Sequence, residues 1–205
     1  GCLTGTVIGL INGLVIANAK LAPFIATLAT MTIARSMVIF LSDGSSIIGN
    51  ASSSYTLIGS AKIGPIPIPV LIFTALVILS YLLLNRTKFG RYVFAIGGNE
   101  TTALYSGIHV ARIKIATYAL LGFLVSISAI IETSRLASIS SSSSGMYYEM
   151  DAIAAVIIGG TSLSGGKGKI FGTVVGVIIL GVIGNLMNLM NISPYLNGAV
   201  KGSII

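Results

Sequence analysis

Apolar stretches of membrane-crossing length constrain this chain before any single residue does. A helix needs about 20 predominantly apolar residues to cross a bilayer. The 205-residue sequence offers seven candidates, the first of them Gly1–Ala19. Leu21–Leu41 and Ile66–Leu84 follow, the latter entered through Pro65, Pro67 and Pro69. Ile115–Ile131 carries no charge, and Ile170–Met190 is strong. Met150–Leu163 is short for a span and reads as tilted or re-entrant. A last stretch begins at Ser193 or Pro194. Charged residues make up 8% of the chain and apolar residues 54%, where soluble domains carry about 25% charged residues. A soluble domain of this size still needs a wet surface, so the composition predicts an all-α, polytopic helical membrane protein. The chain opens and closes inside apolar runs and begins with Gly. The expectation is one transmembrane domain over residues 1–205, truncated at both ends, with about seven spans.

The basic residues orient those spans. Cytoplasmic loops of membrane proteins are enriched in Lys and Arg. The polar island Asn85–Lys114, NRTKFGRYVFAIGGNETTALYSGIHVARIK, holds five of the twelve Lys and Arg residues. Placing it inside and alternating the spans leaves Lys20, Arg86, Lys88, Arg91, Arg112, Lys114, Lys167 and Lys169 inside. Only Lys62 and Arg135 then fall outside, while Arg35 and Lys201 lie within spans. The net charge of +7 is thus a loop bias. It follows no helix face and argues against nucleic acid as a partner.

Glycines recur every fourth residue at Gly1, Gly5, Gly9 and Gly13, and again at Gly168, Gly172 and Gly176. Such spacing lets helix backbones approach closely within lipid, where no hydrophobic force drives helices together. Polar side chains in spans usually face a bundle interior or a cavity. Arg35, Asn185 and Asn188 are therefore candidates for a translocation path. Asn12, Asn18 and Asn191 are further amides, and Glu132 and Arg135 are spaced to pair on one helix face. Interhelical hydrogen bonding is the alternative role for each.

No constellation for chemistry emerges. Ile153–Phe171, IAAVIIGGTSLSGGKGKIF, imitates a phosphate-binding loop, yet that loop requires G-x-x-x-x-G-K-[ST]. Aligned on Gly166-Lys167, Thr161 stands where the first Gly belongs, and Gly168 where a hydroxyl is needed. The expected role is a tight cytoplasmic turn. His109 is the only histidine and Cys2 the only cysteine, so neither a metal centre, a catalytic triad nor an internal disulfide is expected. No catalytic residue and no cofactor are assigned. The serine run Ser140–Ser144 reads as a flexible outer loop.

The island carries turn chemistry at Gly97-Gly98-Asn99-Glu100. Asn99 is placed to cap a short helix, Glu100–Ser106, by accepting a bond from a free amide one turn ahead. Glu100 suits the positive helix end, and Gly107 suits a left-handed stop. Leu104 and Tyr105 would then be available to a partner's groove.

The strings AIGGNETTALYSGI at Ala95–Ile108 and YEMDAIAAVIIGGTSLSGGKGKIFGT at Tyr148–Thr173 closely resemble the membrane permease of bacterial monosaccharide ABC importers. PFIATLATMTIAR at Pro23–Arg35 fits as well, and the resemblance covers essentially the whole chain. It implies a multi-pass permease of the bacterial inner membrane that moves ribose or a related sugar and is not itself an enzyme. It also implies three protein partners within the membrane lipid. These are an ATP-binding subunit with two nucleotide-binding domains, a periplasmic or surface sugar-binding protein, and a second permease copy. The segment Gly97, Gly98, Asn99, Glu100, Leu104, Tyr105 and Gly107, within the loop 85–114, would couple the permease to the ATPase. An ion-coupled secondary sugar carrier is the alternative. The absence of a central carboxylate and of an inverted repeat weighs against it.

Overall fold

The computed structural model describes residues 1–48 and 53–191. They form nine helices and four short strands. Five helices are long and apolar enough to cross a membrane: α1 (Cys2–Ala19), α2 (Pro23–Leu41), α4 (Ile68–Arg86), α7 (Val110–Leu136) and α9 (Ile170–Leu189). Between them lie α3 (Ser53–Ser60), α5 (Lys88–Gly98), α6 (Glu100–Tyr105) and α8 (Tyr148–Ile158). The strands are β1 (Ser46–Ile48), β2 (Lys62–Ile63), β3 (Ile66–Pro67) and β4 (Ser138–Ser140). An all-α membrane fold is what the apolar runs predict. The seventh stretch, from Ser193 or Pro194 onward, and Lys201 lie outside the described residues.

The span boundaries shift for physical reasons. The charge-free core Ile115–Ile131 is the middle of a 27-residue helix, about 40 Å long at 1.5 Å per residue. That exceeds the roughly 30 Å hydrocarbon layer. α7 is thus long enough to cross with residues to spare, and Arg112, Lys114, Glu132 and Arg135 sit in its end turns. The stretch Met150–Leu163 yields only the 11-residue α8, about 16 Å and roughly half a crossing. A left-handed Gly160 (φ 77°) ends it, with the Gly160 and Thr161 amides donating back to Ile157 and Val156.

The chain divides into two compact units, Gly1–Ile78 with Ala103–Ser144, and Leu79–Thr102 with Gly145–Ile205. In the first, α1 runs antiparallel along α7 on its glycine stripe. A methyl group at Gly13 would stand 2.8 Å from the Ile115 Cα. One at Gly9 would strike the Tyr118 carbonyl, and one at Gly5 the Ser126 hydroxyl. Gly122 returns the contact against the Gly5 carbonyl. The first glycine stripe is thus a backbone-to-backbone seam within the chain. α2 joins α1 through the Thr30 hydroxyl, which donates to Asn12 Oδ1 at 2.6 Å, so Asn12 takes the structural role.

In the same unit α3 is clamped to the end of α7. The Gly59 amide donates to Ser134 Oγ at 2.8 Å, and that hydroxyl donates to the Tyr55 carbonyl. The Tyr55 and Thr133 hydroxyls also meet. No apolar run announces α3. The serine run departs from the flexible loop expected. Ser140 closes an antiparallel pair of β4 with β1, and buried Ser141 donates to the Ser45 carbonyl at 2.9 Å. Short hydroxyl side chains satisfy neighbouring backbone there, which low sequence complexity conceals.

The second unit holds the small core Ala154, Ala155 and Leu180 with Ile158 beside it. α8 meets α9 there on Gly172 and Gly176 of the second glycine stripe, whereas Gly168 lies before α9 and packs on Thr161. A methyl group at Gly172 would strike the Gly159 carbonyl, and one at Gly176 the Ala155 carbonyl. Most large apolar side chains in both units stay exposed, among them Leu79, Leu121 and Val182. That is the distribution expected when lipid, rather than protein, solvates the outer faces.

Candidate coupling element and the loop beneath it

The island is largely helical. The chain leaves α4 and turns at Thr87, whose hydroxyl accepts from the Gly90 amide at 3.3 Å and caps α5. Gly90 is buried because it packs on the Leu84 backbone, which a methyl group would approach to 2.5 Å at the carbonyl carbon. The helix presents Lys88, Arg91, Tyr92 and Ala95 outward, and half-buries Phe89, Val93, Phe94 and Gly97. Sequence reasoning treated this stretch as loop. Glycine content obscured it, but the threonine cap and the spacing 89, 93, 94, 97 were legible helix signals. Gly97 and Gly98 accordingly end α5 instead of forming the expected turn.

Asn99 is the single joint between α5 and α6. Its backbone is extended, and its Oδ1 accepts from the Thr102 amide at 2.8 Å, the predicted cap. Glu100 occupies the first turn of α6. The helix ends at Tyr105, one residue before the predicted Ser106. Gly107 takes φ 80°, a region that carries little penalty only for glycine. The Gly107 amide donates to Leu104 and the Ile108 amide to Ala103, at 3.0 and 3.1 Å. That pair of bonds satisfies the last carbonyls of the helix. Tyr105 is 86% exposed and Leu104 59%, a large apolar surface on a six-residue helix.

Beneath the end of α5 lies the glycine-rich loop between α8 and α9, within the second unit. Three glycine contacts join them. A methyl group at Gly97 would stand 2.7 Å from the Gly166 amide nitrogen, and one at Gly166 would stand 2.9 Å from the Gly98 Cα. One at Gly165 would strike the Gly97 carbonyl. Gly165 and Gly166 are left-handed, at φ 84° and 72°. The loop is closed on itself by the Ser162 amide donating to Lys167 and the Gly165 amide donating to Ser162. The chain thus brings Gly97 and Gly98 onto the sequence that imitates a phosphate loop, a juxtaposition no motif foretells.

The candidate path residues are placed as follows. Arg35 lies in α2 of the first unit, half-buried. Asn185 and Asn188 lie in α9 of the second, three apart on one face and exposed. Among the described residues no group of His, Cys, Asp and Glu is arranged to hold a metal ion.

Helices of this length, with apolar outer faces and a charged island between spans, define a multi-pass helical membrane protein. The chain belongs to the family described as "Branched-chain amino acid transport system / permease component", whose model matches residues 1–205. The ribose import permease protein RbsC of Bacillus subtilis (strain 168) is 46% identical, over 95% of this chain and 60% of that protein. The Escherichia coli (strain K12) L-arabinose transport system permease protein AraH is 43% identical, over 95% and 59%. The Haemophilus influenzae galactose/methyl galactoside import permease protein MglC is 40% identical, over 100% and 62%. The chain thus spans about 60% of the length of the curated relatives it matches. No solved structure matches it.

Proposed function

We propose that this chain is a segment of the membrane-spanning domain of an ATP-binding cassette importer permease that moves a monosaccharide, ribose or a related sugar, across the bacterial inner membrane. The family name mentions amino acids, but the relatives at 40–46% identity are named for ribose, arabinose and galactose. The permease performs no bond chemistry. A separate ATPase subunit supplies the energy, a sugar-binding protein delivers cargo, and a second permease copy completes the path.

The observation that carries the reading is the α5–Asn99–α6 element with its exposed Leu104 and Tyr105. A capped helix of six residues has too little length to be stable alone. A partner groove that buries both side chains would stabilise it. ATP binding and hydrolysis in that partner would then move the island, and the spans would respond by rigid-body repacking. Arg35, Asn185 and Asn188 remain candidates for the sugar path, since guanidinium and amide groups offer donors, and amides also acceptors, to hydroxyls.

The test is the double substitution Leu104→Ala/Tyr105→Ala in the full-length permease. Co-purification of the ATPase subunit and uptake of labelled ribose should both fall at least tenfold, with membrane levels of the permease unchanged. Undiminished co-purification and uptake refute the coupling assignment. Uptake that persists without the ATPase and collapses with the ion gradient would establish the carrier alternative.

A further inference from the structure

The second unit contains a cavity of about 400 Å³ that the transport reading leaves unused. Its apolar wall includes Leu84 from the last turn of α4, Val93 and Phe94 from α5, and Ile170 from the first turn of α9. Lys167 and Lys169 also line it, with the uncharged polar side chains of Asn85, Thr161, Ser162 and Thr173, and no lining residue is acidic. α4 ends at Arg86 and α9 begins at Ile170. The cavity therefore lies at the level where two spans leave the apolar layer, with the amphipathic α5 forming another wall.

An apolar wall with two ammonium groups, at headgroup depth, matches an amphiphile with an anionic head. A sugar lacks the apolar part and the negative charge, and the depth of the cavity between span ends favours a membrane lipid over a soluble peptide. We propose that this cavity binds an anionic phospholipid of the cytoplasmic leaflet, its phosphate between Lys167 and Lys169 and its upper acyl chain against Leu84, Phe94 and Ile170. Basic pockets between membrane helices on the cytoplasmic side bind such headgroups. The volume equals about thirteen waters at roughly 30 Å³ each. It takes a headgroup and the start of a chain, and the rest of the lipid stays in the bilayer. The site rests on the proposed function for its cytoplasmic placement and shares α5, including Gly97, with the coupling element.

The test uses the full-length permease in phosphatidylcholine nanodiscs, with phosphatidylglycerol added in increasing amounts and bound lipid counted by native mass spectrometry. No sugar and no ATPase are present, so the outcome is independent of transport. The wild type should retain phosphatidylglycerol in preference to phosphatidylcholine. Lys167→Gln/Lys169→Gln should weaken retention about 30-fold, at roughly 1 kcal/mol for each base near an anionic headgroup. Lys167→Arg/Lys169→Arg should restore it. Lys88→Gln/Arg91→Gln alters exposed bases that do not line the cavity, and should change retention less than threefold. Equal loss in both glutamine variants would overturn the site in favour of a diffuse basic surface. Displacement of the lipid by millimolar inorganic phosphate would overturn the lipid as occupant. Equal retention of the two lipids by the wild type would overturn the charge argument.

Discussion

Three alanine substitutions separate the internal packing of the coupling element from its outward surface. Gly97 and Gly98 are adjacent, both end α5, and neither has a positive φ, so helix propensity treats them alike. Their surroundings differ. A methyl group at Gly97 meets the Gly166 nitrogen at 2.7 Å, whereas at Gly98 nothing lies within 4 Å. The clash at Gly97 is with backbone, so relief requires moving the glycine-rich loop. Overpacking of that kind costs about 1–3 kcal/mol. Gly166→Ala adds to a 2.9 Å clash the strain of a non-glycine residue at φ 72°, itself about 1–2 kcal/mol. Gly98→Ala should be neutral within about 0.5 kcal/mol. Thermal unfolding of the detergent-purified full-length permease, with its ATPase partner absent, reads these differences. At roughly 2–4 °C per kcal/mol for a domain of this size, Gly97→Ala should lower the midpoint by several degrees and Gly166→Ala by more, with Gly98→Ala unchanged. Equal midpoints for Gly97→Ala and Gly98→Ala would refute the packing of α5 on the loop. The same variants inform the partner surface: if Gly98→Ala impairs ATPase binding at an unchanged midpoint, the defect lies outside the chain.

Two further outcomes follow from single hydrogen bonds. Ser134→Ala removes the acceptor of the Gly59 amide in a nearly inaccessible position (1% exposed), which costs about 1–3 kcal/mol; hydrogen exchange at Gly59 should accelerate at least fivefold, and unchanged exchange would show that α3 does not depend on this clamp. Asn99→Ala removes the cap of α6 at a cost of about 1 kcal/mol, so amides of Thr102–Tyr105 should exchange roughly fivefold faster while those of α5 stay unchanged, and uniform exchange would refute the capping role.

The membrane class, the long spans and both glycine stripes were legible in the sequence because lipid imposes simple rules. A span needs length and apolarity, and close helix contact needs small residues. The α6 unit was legible because Asn99 and Gly107 carry local conformational demands that do not depend on tertiary context. What failed to read depended on that context. Gly97 and Gly98 look like a turn in one dimension, and they are helical because Gly165 and Gly166 approach them from more than sixty positions away. Ser134 looks like a minor polar residue in a span end, and its role is set by α3, whose Tyr55 and Gly59 lie 79 and 75 positions earlier. The buried Ser141 was hidden within a run of identical residues, since composition cannot say which serine meets the Ser45 carbonyl.

The loop Thr161–Lys169 resembles a nucleotide site and departs from one at positions where the structure gives glycine another purpose. Gly168 stands where a phosphate loop requires a hydroxyl, and a methyl group there would meet Thr161 Cγ2 at 3.0 Å. A serine at that position would crowd Thr161 within the loop. Gly165 and Gly166 hold left-handed turns that set their backbone against Gly97 and Gly98. In a phosphate loop, amides in such turns face an anion; here the Gly166 nitrogen lies against α5 instead. The same residues therefore explain why the sequence imitates a phosphate loop and why its glycines serve packing. A displacement of α5 meets backbone atoms directly, with no flexible side chain between them, and passes to the loop that leads into α9.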